Sequence, residues 1–311
     1  MTLMIETNIP EWMTNEALRE KLQLLLPDVE IRHEPNLGNR ADITMLACVR
    51  LPAGLARTLP NLQLVQKLGA GVEAIVGDPE LPPHVQVTRL KPDAPAQEIA
   101  EYCLAHVLWE QRNMRFHEQN QAQQEWKPIG PKRTAVTTIG ILGLGHIGGR
   151  TARAFAQLGF RVLGWSRTAK QIDGVDCRWG SDALKPLLAQ CDYVASVLPS
   201  TPDTRNLFDA AMLAAMKPTA MLINVGRGDL IDEDTLLAAL NSDQLRRAAL
   251  DVFRTEPLPS AHPFWSHPKV SVTPHVSGWH VDGGLEVVAE NYRRLVEKRP
   301  LINLVNRAAG Y

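Results

Sequence analysis

"TTIGILGLGHIGGRTARAFAQLGF", residues 137 to 160, decides the fold of this chain. It runs from a short apolar stretch through a glycine cluster into a helix-patterned segment carrying Ala152, Ala154, Phe155 and Leu158. Gly143, Gly145 and Gly148 have G-x-G-x-x-G spacing, which also occurs in turns that bind nothing, so the surroundings must carry the reading. Here a strand ends at Leu142 and a helix follows at once. The first two glycines then allow a tight turn and the close approach of a pyrophosphate to the amides of His146, Ile147 and Gly148. The stretch predicts a dinucleotide site at the start of a Rossmann-like unit.

The next strand-like run, "FRVLGW", indicates which dinucleotide. An NAD site places an acidic residue about 20 residues beyond the glycines for the ribose 2′-hydroxyl, whereas an NADP site needs cations and hydroxyls for a 2′-phosphate. Trp165 is followed by Ser166, Arg167 and Thr168, with Lys170 close behind and no carboxylate before Asp173. NADP is the preferred cofactor on this pattern, and NAD remains an option.

Further on, "CDYVASVL", "AMLINV", "RRAALDV" and "VSVT" continue the alternation, so six strand-like runs with intervening helices predict a doubly wound parallel sheet. Upstream, "LMIE", "VEIRH", "DITMLACV", "LQLVQKLGAG" and "VQVTRL" alternate with helix-like stretches and predict a second parallel α/β domain. Between the two lies a long helix beginning near Asp93, with Pro95 in its first turn and Ile99, Cys103, Leu104, Val107 and Leu108 at helical spacing. A last helix, "LEVVAENYRRLVEK", is expected to return to the first domain. The expected fold class is α/β with two Rossmann-like domains. Residues 1–98 and 284–311 form a discontinuous flavodoxin-like substrate domain, and residues 99–283 the dinucleotide domain.

With 33 Lys and Arg against 34 Asp and Glu among 311 residues, no basic field invites nucleic acid. No eighteen apolar residues run together to span a membrane, and the amino terminus lacks the pattern of a secretory signal. Cys48, Cys103, Cys177 and Cys191 lack C-x-x-C spacing, which predicts reduced thiols and a cytoplasmic protein. His262, His267, His275 and His280 are not completed into a tetrahedral set by cysteine or carboxylate spacing, so no metal is expected. A small molecule is the expected partner.

In open α/β sheets ligands bind beyond the carboxyl ends of the strands. Three such ends carry chemistry: Arg227 after "AMLINV", Glu256 after "AALDVF" and His275 after "VSVT". Hydride transfer to a ketone leaves negative charge on oxygen, and a protonated His275 within reach would donate the proton. Glu256 behind the imidazole would orient it and favour its charged form. Arg227, between two glycines, would bind a substrate carboxylate and polarise the keto oxygen. Taken singly, each has a plainer reading as a turn, cap or loop residue.

In this order, "GLGHIGG", "LPSTPDT", "NVGRGDLIDEDTL", "ALDVFRTEPLP" and "VTPHVSG" resemble the D-2-hydroxyacid dehydrogenase family. The "GWSRTAK" stretch and the "NRAAGY" ending resemble its glyoxylate/hydroxypyruvate reductase A subgroup. The resemblance implies NADPH-dependent reduction of glyoxylate, hydroxypyruvate or another small 2-oxo acid, a homodimer, and Arg227, Glu256 and His275 as the catalytic set. It implies that the backbone of Ala70, Gly71 and Val72 receives the substrate carboxylate and that Asp251 faces the nicotinamide carboxamide. Further cofactor contacts are implied at Leu198, Pro199, Thr204, Val225, Gly226 and Gly278. The chain departs from the pattern at Ser277-Gly278-Trp279-His280, where family members often carry alanine and smaller or β-branched groups. Bulkier oxo acids such as phenylpyruvate are therefore a second substrate class to weigh. NAD-linked oxidation and non-catalytic nucleotide sensing also compete with reduction; the missing acid at Ser166 disfavours the first and the intact trio the second. Trp126 is expected to pack the hinge rather than reach the pocket or a partner subunit, Glu101 and Arg112 to form a salt-bridged pair on the long helix rather than join the substrate cleft, and Asp192 and Asp203 to be loop carboxylates without a chemical role.

Overall fold

The computed structural model describes residues 1–307; the last four residues of the "NRAAGY" ending, 308–311, lie outside the described residues. In chain order the elements are β1 (Thr2–Glu6), α1 (Asn15–Leu25), β2 (Ile31–Arg32), β3 (Ile43–Cys48), β4 (Leu64–Lys67), α2 (Glu73–Val76), β5 (Gln86–Arg89), α3 (Asp93–Gln111) and α4 (Met114–Ala122). There follow β6 (Thr138–Leu142), α5 (His146–Gln157), β7 (Arg161–Ser166), β8 (Val175–Trp179), α6 (Ser181–Leu188), β9 (Tyr193–Ser196) and α7 (Ala210–Ala215). The last elements are β10 (Met221–Asn224), α8 (Glu233–Asn241), β11 (Arg247–Leu250), β12 (Val270–Val272) and α9 (Gly284–Val296). The chain divides into two units, Met1–Ala94 with Trp279–Tyr311, and Pro95–Gly278. These boundaries fall a few residues before the expected 98/99 and 283/284.

The first unit is a five-stranded parallel sheet of order β2-β1-β3-β4-β5, the flavodoxin-like arrangement. Its inner strands β1 and β3 are buried on both faces and so read as nearly unbroken apolar runs. Along β3, Leu46 and Cys48 enter one core while Met45 and Ala47 enter the other. The second of these cores includes Val288, Ala289 and Tyr292 of α9, so the last helix does return to the first unit.

The second unit is a seven-stranded parallel sheet of order β12-β11-β10-β9-β6-β7-β8. From β6 the chain adds β7 and β8 on one side and β9 to β12 on the other, so the topological switch point lies between β6 and β9, beside the glycine turn. Met221 and Ile223 of β10 pack on one side and Leu222 on the other. The sheet has one strand more than the sequence suggested. β8 is an edge strand of partly exposed residues, "VDCRW", and offers no apolar run to read. The single long helix expected between the domains is also two helices. Asn113 adopts a left-handed φ of 56° and stops α3 before α4 begins.

Trp126 is 96 % exposed and does not pack a hinge. Glu101 accepts a hydrogen bond from Gln97 rather than pairing with Arg112. The charge cluster on α3 is centred instead on Glu110, which pairs with Arg246 at 2.8 Å and Arg247 at 3.2 Å. Asp192 is more than a loop carboxylate. It accepts the Thr138 amide at 2.8 Å and pairs with Lys132 and Lys217, tying the start of β6 to the start of β9. Burial works to raise the Asp192 carboxyl, yet the Thr138 amide and the two ammonium groups hold it below the usual carboxylate range. Burial pushes the thiols of Cys48, Cys103 and Cys191 up to about 12, so they are inert core groups.

Candidate active site

Backbone contacts, more than side chains, build the glycine turn. Gly143 sits at φ 99°, and a Cβ there would lie 2.9 Å from the Val197 carbonyl oxygen. A Cβ on Gly148 would lie only 1.8 Å from the Gly143 carbonyl oxygen, so the first turn of α5 rests directly on the loop before it. Gly145 differs: nothing lies within 4 Å of the place its Cβ would take. The helical ladder starts with Gly149 donating to Gly145, and no side chain caps the helix, so the earlier amides lie outside it. Two of the three glycines are therefore explained by packing; the third leaves open space over a helix amino end, which is what a pyrophosphate needs.

A prediction separates the two cases. Gly148→Ala is expected to destabilise at or above the upper end of the ~1–3 kcal/mol typical of overpacking. Gly145→Ala is expected to leave the thermal midpoint unchanged and to weaken NADPH binding at least tenfold, because only ligand approach requires that glycine. Thermal melts and fluorescence titration with NADPH check both, and an unweakened Gly145→Ala removes the phosphate from this turn.

At the end of β7, Ser166 is buried and its hydroxyl donates to the Thr168 carbonyl at 2.8 Å, closing a turn that displays Arg167, Thr168 and Lys170 outward. Leu198 and Pro199 follow β9, and Leu198 is buried under the glycine turn. Thr204 spends its hydroxyl on its own loop, donating to Pro199 at 2.7 Å and accepting the Thr201 amide at 2.8 Å. Val225 is buried, and Gly226 lies so close to Leu198 that a Cβ would stand 2.5 Å from the Leu198 oxygen.

Arg227 follows β10 between two such contacts. On its other side a Cβ on Gly228 would stand 1.9 Å from the Phe253 carbonyl carbon, so the turn is clamped between the loops after β9 and β11. The guanidinium donates to the Gly226 carbonyl at 2.6 Å. Glu256 follows β11 and accepts the Phe253 amide on one oxygen at 3.1 Å. Its other oxygen is 2.8 Å from Nδ1 of His275, which follows β12. The three strands are neighbours at about 4.8 Å spacing, which brings the trio to one stretch of the sheet's carboxyl edge.

His275 is held in a left-handed conformation, φ 57°, rare for a residue with a side chain. Its side chain is 46 % exposed and that of Glu256 21 %, so the imidazole faces outward with the carboxylate behind it. Asp251, expected beside the nicotinamide, is 0 % exposed beneath the same loop. It accepts hydrogen bonds from Thr273 Oγ1 at 2.6 Å and from the amides of Val276 and Ser277 at 2.9 Å each. Gly278 closes the loop against Ile99 and Pro95 of α3. His262 and His267 accept amides of their own turns on Nδ1, from Phe264 and Lys269 respectively. Tyr102, whose hydroxyl lies 2.8 Å from Thr273 Oγ1, was not legible as a site residue, because its partner is 171 positions away.

In the first unit, Ala70, Gly71 and Val72 form the loop between β4 and α2. Among the described residues their three amides meet no acceptor. The Arg89 guanidinium donates to the Ala70 carbonyl at 3.3 Å and brings a cation to that loop.

A doubly wound nucleotide fold whose sheet edge carries an arginine and a carboxylate-backed histidine defines a protein of the dinucleotide-dependent oxidoreductase class. Residues 104–277 match the family model described as D-isomer specific 2-hydroxyacid dehydrogenase, NAD binding domain. The chain is 36 % identical over 311 residues to a glyoxylate/hydroxypyruvate reductase A of Serratia proteamaculans, covering 98 % of this chain and 97 % of that one. It superposes with TM-score 0.93 and 35 % identity on a D-isomer specific 2-hydroxyacid dehydrogenase of Xanthobacter autotrophicus in complex with NADPH and MES, covering 100 % and 99 % of the two chains. With an NADPH-dependent glyoxylate/hydroxypyruvate reductase of Sinorhizobium meliloti in complex with NADP and sulfate, the TM-score is 0.91 and the identity 31 %, each chain covered fully at 100 %. This chain belongs to the D-2-hydroxyacid dehydrogenase family.

Proposed function

We propose that the chain is an NADPH-dependent reductase of small 2-oxo acids, with glyoxylate and hydroxypyruvate as substrates. The observation that carries this reading is His275 Nδ1 at 2.8 Å from Glu256 with the rest of the ring outward. A ring that gives its Nδ1 proton to Glu256 presents Nε2 as the group that protonates a developing alkoxide. Arg227 binds the carboxylate of the oxo acid and polarises its keto oxygen. The amides of Ala70, Gly71 and Val72 offer the first unit's own site for an acid group. NADPH, when bound, supplies the hydride. The glycine turn with His146 and Ile147 holds its pyrophosphate, Arg167 and Thr168 its 2′-phosphate, and the loop backbones at Leu198, Pro199, Val225 and Gly226 flank it.

The absorbance at 340 nm, followed with NADPH or NADH against glyoxylate, hydroxypyruvate, pyruvate and phenylpyruvate, tests the reading. Turnover of glyoxylate or hydroxypyruvate with NADPH supports it. Turnover confined to phenylpyruvate transfers the pocket to bulky oxo acids, and tight NADPH binding with no turnover favours a sensor. Arg167→Met is expected to lower kcat/KM for NADPH about 10- to 100-fold, the usual worth of a charged hydrogen bond, and that for NADH less than about twofold. Equal losses would remove the 2′-phosphate from Arg167.

We further propose a cytoplasmic homodimer. Leu108, Trp109 and Met114, exposed around the α3–α4 turn, support an interface there. Light scattering at about 34.4 kDa, the mass of one chain, rather than twice that would overturn it.

A further inference from the structure

One stripe of α3 bears on the loop that carries His275. Pro95, Ile99 and Tyr102 stand at i, i+4 and i+7, and therefore share a helical face. Pro95 and Ile99 support the loop's end, because a Cβ on Gly278 would lie 3.3 Å from Pro95 and 3.0 Å from Ile99. Tyr102 meets its start, with its hydroxyl 2.8 Å from Thr273 Oγ1.

The direction of these bonds follows from the proton count. A threonine hydroxyl has one proton to give. Thr273 gives it to the Asp251 carboxylate at 2.6 Å, so its oxygen is left as the acceptor and Tyr102 is the donor. Burial pushes the Tyr102 phenol well up, so it keeps the proton it donates. Its ring is steadied by His106, whose centroid lies 4.6 Å away.

Asp251 thus holds the loop by Thr273, Val276 and Ser277, and His275 lies inside that span in its left-handed conformation. Such a conformation persists only where its surroundings over-determine it. If the Thr273 anchor loosens, residue 275 relaxes toward an ordinary backbone geometry and its imidazole leaves Glu256.

We propose that Tyr102, through Thr273 and Asp251, is a positioning residue that sets the aim of the His275 imidazole. The inference rests on the reading of His275 as the proton donor, and the test is built to separate the two. Tyr102→Phe removes one oxygen atom. It is expected to lower kcat with glyoxylate about 5- to 30-fold while KM for NADPH stays within about twofold. In a His275→Ala background the same substitution is expected to change kcat less than about twofold, because groups acting through one residue are not additive. Thr273→Ser, which keeps the hydroxyl, is expected to retain most of the rate, and Thr273→Val to lose at least as much as Tyr102→Phe; the Val variant repeats the test if Tyr102→Phe folds poorly. An unchanged kcat in Tyr102→Phe, or the same loss in both backgrounds, overturns the positioning role alone. Normal turnover in His275→Ala overturns both it and the reading beneath it.

Discussion

His275→Ala is expected to turn over a small 2-oxo acid about 10²- to 10⁴-fold more slowly than the unaltered chain, with NADPH bound as tightly as before. The magnitude is the usual worth of a positioned general acid. It applies here because Nδ1 is committed to Glu256 at 2.8 Å, so the opposite edge of a half-exposed ring is the part presented outward. Alanine removes that edge and leaves the bonds from Thr273, Val276 and Ser277 to Asp251 that hold the loop, so the variant is expected to fold. Stopped-flow and steady-state rates at saturating NADPH check it, alongside a cofactor titration. A rate within about threefold of the unaltered chain would take the proton donor away from His275.

Arg227→Ala is expected to lower kcat/KM for the oxo acid about 10²- to 10³-fold, the loss seen when one preorganised donor to a developing oxyanion is removed. Packing makes the guanidinium preorganised. Gly226 and Gly228 press the turn against Leu198 and Phe253 so closely that neither has room for a Cβ, and Arg227 lies between them with its head on the Gly226 carbonyl. Arg227→Lys is expected to restore little, since an ammonium cannot reproduce the planar fork that grips a carboxylate. The split between KM and kcat tells whether the residue mainly holds the acid group or polarises the carbonyl. A loss below about threefold would assign Arg227 to the turn alone.

The second unit's sheet was legible in nearly all its strands because parallel strands buried on both faces leave unbroken apolar runs such as "AMLINV" and "TIGIL". β8 carries no such run for the converse reason, being a half-solvated edge. The break between α3 and α4 was invisible because no glycine or proline marks it; one asparagine in a left-handed conformation ends the helix. Glu101 and Arg112 illustrate the limit of spacing. They share a face in an ideal helix, yet the local partner Gln97 and the end of α3 at Gln111 separate them.

The two parallel sheets, the glycine turn and the three strand ends that carry Arg227, Glu256 and His275 are legible along the chain, because periodicity and turn chemistry are local properties. Packing settled that Gly145 opens onto space while Gly148 is packed against backbone, and that Asp251 turns into the 273–277 loop. It also decided that a tyrosine on α3 holds the threonine two residues before the histidine. These are distances between atoms far apart in sequence, set by how helix and sheet pack, and no spacing along the chain encodes them.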